Sequence, residues 1–151
     1  MGLYVVHSRN ENLGAATVET LLQVVAPSTS RLRVVAWGIS LGGVTAAEVP
    51  GDIELLRQTT AGTAAAFTPI LLDPADPASS STAQNTFTAE PTAGDILHPI
   101  QLTPNGGLFE CEYAPDRRPI VAASGRVGIR ANFAAAQTSG GGASAWLIFE
   151  E

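Results

Sequence analysis

The chain has 151 residues, a net charge of −6 and no lysine; its eight basic residues are all arginine, set against fourteen carboxylates. That length fits one domain with a real core. The single cysteine excludes an intramolecular disulfide, and scattered arginines on an acidic chain exclude the clustered positive charge that phosphate binding needs. A free monomer of this size normally carries a coat of lysine and glutamate. Here Ala, Gly, Ser and Thr take its place, which points to a surface pressed against other protein. A GC-rich coding sequence accounts for arginine replacing lysine, but not for the low total charge.

In chain order the sequence reads as short strands separated by turn signals. Residues 3–7 form a β-branched and aromatic run, with 1–16 as a candidate N-terminal arm. No targeting segment opens the chain, and no stretch approaches the ~20 apolar residues of a membrane span. Residues 18–26 form a second strand, stopped by Pro27. Residues 31–41 are the best strand. Strict alternation puts Arg31, Arg33, Val35, Trp37, Ile39 and Leu41 on one face and Leu32, Val34 and Ala36 on the other. Both faces are largely apolar, so the strand is expected to be central and covered on both sides. Residues 52–59 alternate again, Ile53, Leu55 and Arg57 against Glu54, Leu56 and Gln58.

Residues 60–92 read as a long interaction loop region with short elements inside it. The alanine-rich 63–67 has helix propensity but is too short to stand alone, and 72–82 is a proline- and serine-rich loop. Residues 86–89 and 95–102 are strands, the latter confined by Pro99 to an edge or a bulge. Asn105-Gly106-Gly107 predicts a hairpin turn joining 101–102 to 108–109. In 108–113, Phe109, Cys111 and Tyr113 share one face and Glu110 and Glu112 the other. Residues 120–123 and 126–133 follow, the latter with Val127, Ile129, Ala131 and Phe133 on one side. A Gly/Ser turn over 137–142 leads to the last strand, 145–150. The pattern predicts an all-β domain over 1–151: an antiparallel β-sandwich or jelly-roll-like barrel of about eight to ten short strands with little helix.

Chemistry is hard to find. The two histidines, His7 and His98, have no metal-ligand spacing around them, and His98 is expected to donate to a backbone carbonyl. Gly38-Ile39-Ser40-Leu41-Gly42 matches the spacing of a nucleophile elbow but lacks the following helix that the chemistry needs. Asp73 and Asp76 lie in a loop that could offer oxygen ligands to Ca²⁺, but no metal site is assigned. Cys111 reads as a small core residue whose flanking glutamates raise its pKa. Trp37 and Trp146 both read as core. No catalytic residue, cofactor or metal is assigned, and the chain is not expected to be an enzyme.

The arginines are the candidate interface residues: Arg31 and Arg33 on one strand, Arg57 on the strand over 52–59, Arg117 and Arg118 capping a loop, Arg126 and Arg130 on one face of another strand. Arginine suits bidentate pairing in partly dry contacts.

The runs Val5-Val6, Val34-Val35-Ala36-Trp37-Gly38-Ile39-Ser40, Glu54-Leu55-Leu56-Arg57-Gln58-Thr59-Thr60-Ala61-Gly62-Thr63, Leu72-Asp73-Pro74-Ala75-Asp76-Pro77-Ala78 and Trp146-Leu147-Ile148-Phe149-Glu150 resemble small structural proteins of tailed bacteriophages from high-GC hosts. Within that group the chain resembles capsid decoration (cement) proteins. The resemblance implies a β-rich homotrimer made in the host cytoplasm, placed on the outside of the virion and bound to the major capsid protein after shell expansion, with no nucleic acid or membrane partner. The alternative is a β-sandwich module of a phage tail or head appendage that binds a carbohydrate or receptor.

Overall fold

The computed structural model describes residues 2–42, 49–136 and 142–151. Among them are twelve strands and no helix: β1 (Leu3–Glu11), β2 (Thr17–Val25), β3 (Leu32–Leu41), β4 (Gly51–Gln58), β5 (Thr63–Phe67), β6 (Ile70–Leu71), β7 (Thr82–Ala89), β8 (Ala93–Leu102), β9 (Leu108–Glu112), β10 (Ile120–Val121), β11 (Arg126–Phe133) and β12 (Ala143–Glu150). They form two antiparallel six-stranded sheets packed as a β-sandwich. Sheet I runs β3-β12-β1-β6, with β9 and β10 both paired to the other edge of β3. Sheet II runs β5-β7-β2-β11-β4-β8.

The core lies between the sheets because one side chain in two points inward from each. Val127, Ile129, Ala131 and Phe133 of β11 are buried, as the unbroken alternation predicts. They meet Ala143, Ala145, Leu147 and Phe149 of β12, Tyr4 and Val6 of β1, and Leu22 and Val24 of β2 in one cluster.

Several expectations need correction. β3 does not alternate strictly. Its pairing with β12 shifts between Phe149↔Val34 and Ile148↔Ala36, so one extra residue, Val35, sits in a bulge. The bulge inverts the phase: Leu32 and Val34 join Trp37, Ile39 and Leu41 in the core cluster. Residues 3–11 are no arm, since β1 is an internal strand of sheet I between β12 and β6. Within 60–92, residues 63–67 are a strand paired with β7 rather than a helical turn, and the longest stretch without regular pairing is 72–81. Asn105-Gly106-Gly107 is a turn but not a hairpin. β8 pairs with β4 in sheet II and β9 with β3 in sheet I, so the turn carries the chain between sheets. Pro99 does lie on an edge strand, two residues past a register shift in β8. The Gly/Ser turn over 137–142 falls, but for Gly142, outside the described residues.

The irregular segment 72–81 is fastened to sheet I. Tyr4 Oη donates to Pro77 O at 2.9 Å, and Leu72 N donates to Leu3 O at 3.0 Å. The Glu151 carboxylate accepts from Ser79 Oγ and Ser81 N, both at 3.1 Å, and from Ser80 N and Ser81 Oγ. The backbones of Gly2 and Glu151 also exchange hydrogen bonds, Gly2 N to Glu151 O at 3.1 Å and Glu151 N to Gly2 O at 3.3 Å.

Candidate docking face and its polar surroundings

The two outer faces of the sandwich differ. On sheet II, Gln23 lies between the core residues Leu22 and Val24 and therefore points outward, yet it is fully buried. Its Nε2 donates to Gln58 Oε1 at 2.7 Å and to Thr60 O at 3.1 Å; Gln58 Nε2 donates to Thr20 Oγ1 at 3.1 Å. The turns 59–62 and 90–92 pair across this surface through Thr59 N to Thr92 O (2.9 Å) and Thr92 N to Thr60 Oγ1 (2.8 Å). Gly62 makes that crossing feasible: its φ is +66°, and a Cβ there would stand 2.4 Å from Ala89 O. Beyond the turns the surface is mixed: Val18 and Ile96 are exposed, while Glu54 pairs with Arg130 and Gln101 Nε2 donates to Asp52 Oδ1 at 2.9 Å.

Sheet I gathers exposed apolar residues on one side. Its register sets outward-facing residues in rows. His7, Trp146, Gly38 and Glu110 form one; Ile70, Val5, Ile148, Ala36 and Glu112 form the next; Leu3, Glu150 and Arg33 follow. The side of this surface formed by β6, β1 and β12 is apolar. Leu3 is 40%, Ile70 49% and Leu72 49% exposed, beside half-buried Val5, Ile148 and Trp146. Trp146 is therefore not core, contrary to the sequence reading, whereas Trp37 is fully buried. The indole lies on Gly38, where a Cβ would come within 2.5 Å of Trp146 Cε2 and Cζ2.

The candidate arginines separate into two groups. Arg33 and Arg118 both grip Glu150, at 3.1 and 2.7 Å, closing one end of the apolar face with a charged knot. Arg130 pairs with Glu54 on sheet II. Arg57 ties the sheets together at a rim, donating to Ile120 O at 3.0 Å and standing 3.8 Å from Asp95. Arg31 and Arg117 are exposed. Among the described residues no carboxylate pairs with Arg31, Arg117 or Arg126.

A second cluster joins the sheets beside β9. Trp37 Nε1 donates to Tyr113 Oη at 3.3 Å, and the same hydroxyl lies 2.9 Å from His98 Nδ1. An indole N–H only donates, so the Tyr113 oxygen accepts from Trp37; the direction of the His98 contact is set by the histidine tautomer. His98 thus meets a phenol, not the backbone carbonyl expected from sequence. Phe109 closes the cluster, its ring centroid 4.9 Å from Trp37 and 5.4 Å from His98. Burial raises the Tyr113 pKa; the Trp37 hydrogen bond opposes this and Cys111 adds to it. Cys111 packs against the core with Phe109 and Tyr113, as expected. Its pKa is raised, but by burial rather than by the neighbouring glutamates.

Other sequence candidates are structural. Asp73 Oδ1 accepts from Ala75 N at 2.9 Å, capping its own turn. Ser40 lies within β3, exposed. Among the described residues no three His, Cys, Asp or Glu side chains are placed to hold a metal ion, and no helix is long and apolar enough to cross a membrane.

Compared with known proteins, the chain matches no family model, no curated protein and no solved structure. The geometry of its own surface is therefore the basis for a functional reading.

Proposed function

We propose that this chain is a structural component of a protein assembly, with the outer face of sheet I covered by protein in the assembled state. The observation that carries this reading is the contrast between the two outer faces. Sheet II seals its surface with a buried glutamine network and two crossing turns; sheet I leaves Leu3, Ile70, Leu72, Val5, Ile148 and Trp146 together on one side. Contiguous apolar patches rimmed by charge mark interaction sites. The motifs quoted above further support a specific setting: a capsid decoration protein, homotrimeric, bound to the major capsid protein on the outside of a phage head. Expanded shells lacking the protein test that setting. The protein is expected to sediment with expanded shells and not with unexpanded ones; failure to bind either removes the capsid role.

Trp146 favours a second reading. A half-exposed indole on a sheet face, in a row with His7 and Glu110, has the form of a sugar-stacking platform. A glycan array decides this one: a blank array excludes it.

A further inference from the structure

We infer that the open edge of β9 takes a strand from a different protein: an extended segment that alternates basic and apolar residues and lengthens sheet I by one strand. This edge is separate from the outer face of sheet I, and its occupant does not depend on what covers that face.

The hydrogen bonds show which main-chain groups of β9 are open. Tyr113 N donates to Val35 O and Leu41 N donates to Gly107 O, both at 2.8 Å. Between these two bonds the register runs from Glu112↔Ala36 to Leu108↔Ser40 without a shift. Bonded pairs recur at every second residue of an antiparallel ladder. Phe109 and Cys111 therefore turn their N–H and C=O groups to β3, and Leu108, Glu110 and Glu112 turn theirs away from it. Among the described residues β9 pairs with β3 alone, and Leu108 is 69% exposed.

Folded proteins blunt such edges with short strands, prolines, bulges or charge. β6 and β10 have two residues each. β8 carries Pro99 and register shifts, and β5 carries a register shift. β9 instead keeps five residues in continuous register, with neither proline nor glycine. Its one protection is charge, from exposed Glu110 and Glu112.

That charge selects the occupant. On β3 the neighbours of Glu110 and Glu112 are Gly38 and Ala36, and among the described residues no arginine pairs with either carboxylate. Their other cross-strand neighbours belong to the added strand. Opposite charges at such positions stabilise and like charges repel. A second copy pairing antiparallel along the full length of its own β9 sets Glu110 against Glu110, so the occupant is another protein with arginine or lysine at alternate positions. The residues between them turn inward beside half-buried Phe109, Cys111 and Tyr113, which suits apolar side chains. Main-chain bonds give strand addition its affinity and the alternate side chains its specificity.

Magnetic resonance titration and amide exchange on the full chain test this, with a hexapeptide alternating Arg and Val as the probe. The amides of Leu108, Glu110 and Glu112 should gain protection, while those of Phe109 and Cys111, already bonded to β3, change little. The same peptide N-methylated along its backbone keeps its charge and should not bind. Glu110→Arg and Glu112→Arg together should weaken binding about tenfold or more and transfer it to a hexapeptide alternating Glu and Val. Circular dichroism melts check that the variant is folded. No binding at about 1 mM peptide overturns the inference. So does undiminished binding of the N-methylated peptide, protection away from β9, or self-association that protects the same three amides without peptide.

Discussion

The Trp146 indole packs over Gly38, the two facing each other across neighbouring strands β12 and β3. Trp37, one residue before Gly38, points the other way into the core. Gly38→Ala should therefore lift the Trp146 indole without disturbing Trp37. We expect a loss of about 1–3 kcal/mol in urea unfolding from overpacking, together with a red shift of one of the two tryptophan emissions. An unchanged spectrum with unchanged stability would show that the indole does not rest there.

Tyr113→Phe removes the one hydroxyl that serves both Trp37 Nε1 and His98 Nδ1. Trp37 is fully buried, so its N–H is left without a partner. The expected cost is about 1–3 kcal/mol, measured by chemical denaturation. A neutral result would mean that water reaches the indole nitrogen.

Glu150 receives two guanidiniums, so its loss should cost more than the loss of either arginine. Glu150→Gln leaves Arg33 and Arg118 half-buried with no anionic partner, whereas Arg33→Gln leaves the Arg118 contact in place. Hydrogen bonds to charged groups contribute about 1.5–3 kcal/mol, and these sites are partly wet, so the lower end applies to Glu150→Gln. Equal destabilisation by the glutamate and arginine changes would contradict the shared-anion geometry.

Stability should fall at alkaline pH. Burial raises the pKa of Cys111 above its ordinary 9.0 and those of Tyr4 and Tyr113 above 10.0; Glu151 and Asp76 add to the Tyr4 shift. Each group keeps its proton in the folded chain after the unfolded chain has released it. The unfolded state then binds fewer protons, so stability declines as pH rises. The contribution is complete below pH 9, starts to fade as Cys111 titrates in the unfolded chain, and fades further above pH 10. Urea midpoints between pH 8 and 11 check this. Cys111→Ser should remove the early part of the decline and Tyr4→Phe some of the later part.

Glu151→Gln should loosen segment 72–81, because the glutamine amide loses acceptors for the Ser79, Ser80 and Ser81 donors. Faster amide exchange confined to that segment is the expected result. No change would mean that Tyr4 and the Leu72 contact hold it unaided.

How much of this could be read from the sequence depended on the element. β11 was legible to the residue, since its alternation is unbroken from Arg126 to Phe133. β3 was legible as a strand but not as two faces: a single bulged residue at Val35 inverted half of it. In β12 the period of two was plain, yet Trp146 and Ile148 are as apolar as Leu147 and Phe149, so hydropathy could not say which side was inside. Gly106-Gly107 announced a turn, but turn chemistry carries no information about which sheet receives the next strand. The alanines of 63–67 favour helix locally and were overridden by pairing with β7. The arginines were visible as a set; their division between internal partners and open surface required the positions of Glu150, Glu54 and Ile120.

The hydrogen bonds between Gly2 and Glu151 have a mechanical consequence. β1 and β12 run antiparallel from that corner, their pairs stacked in order from Leu3↔Glu150 inward. Tension applied between residues 2 and 151 meets those rungs one after another, as in opening a zipper. Tension applied along opposite ends of the same two strands would load every rung at once. The fold is thus weak to one direction of pull and stiff to another, so the direction of a load decides how much force it can bear.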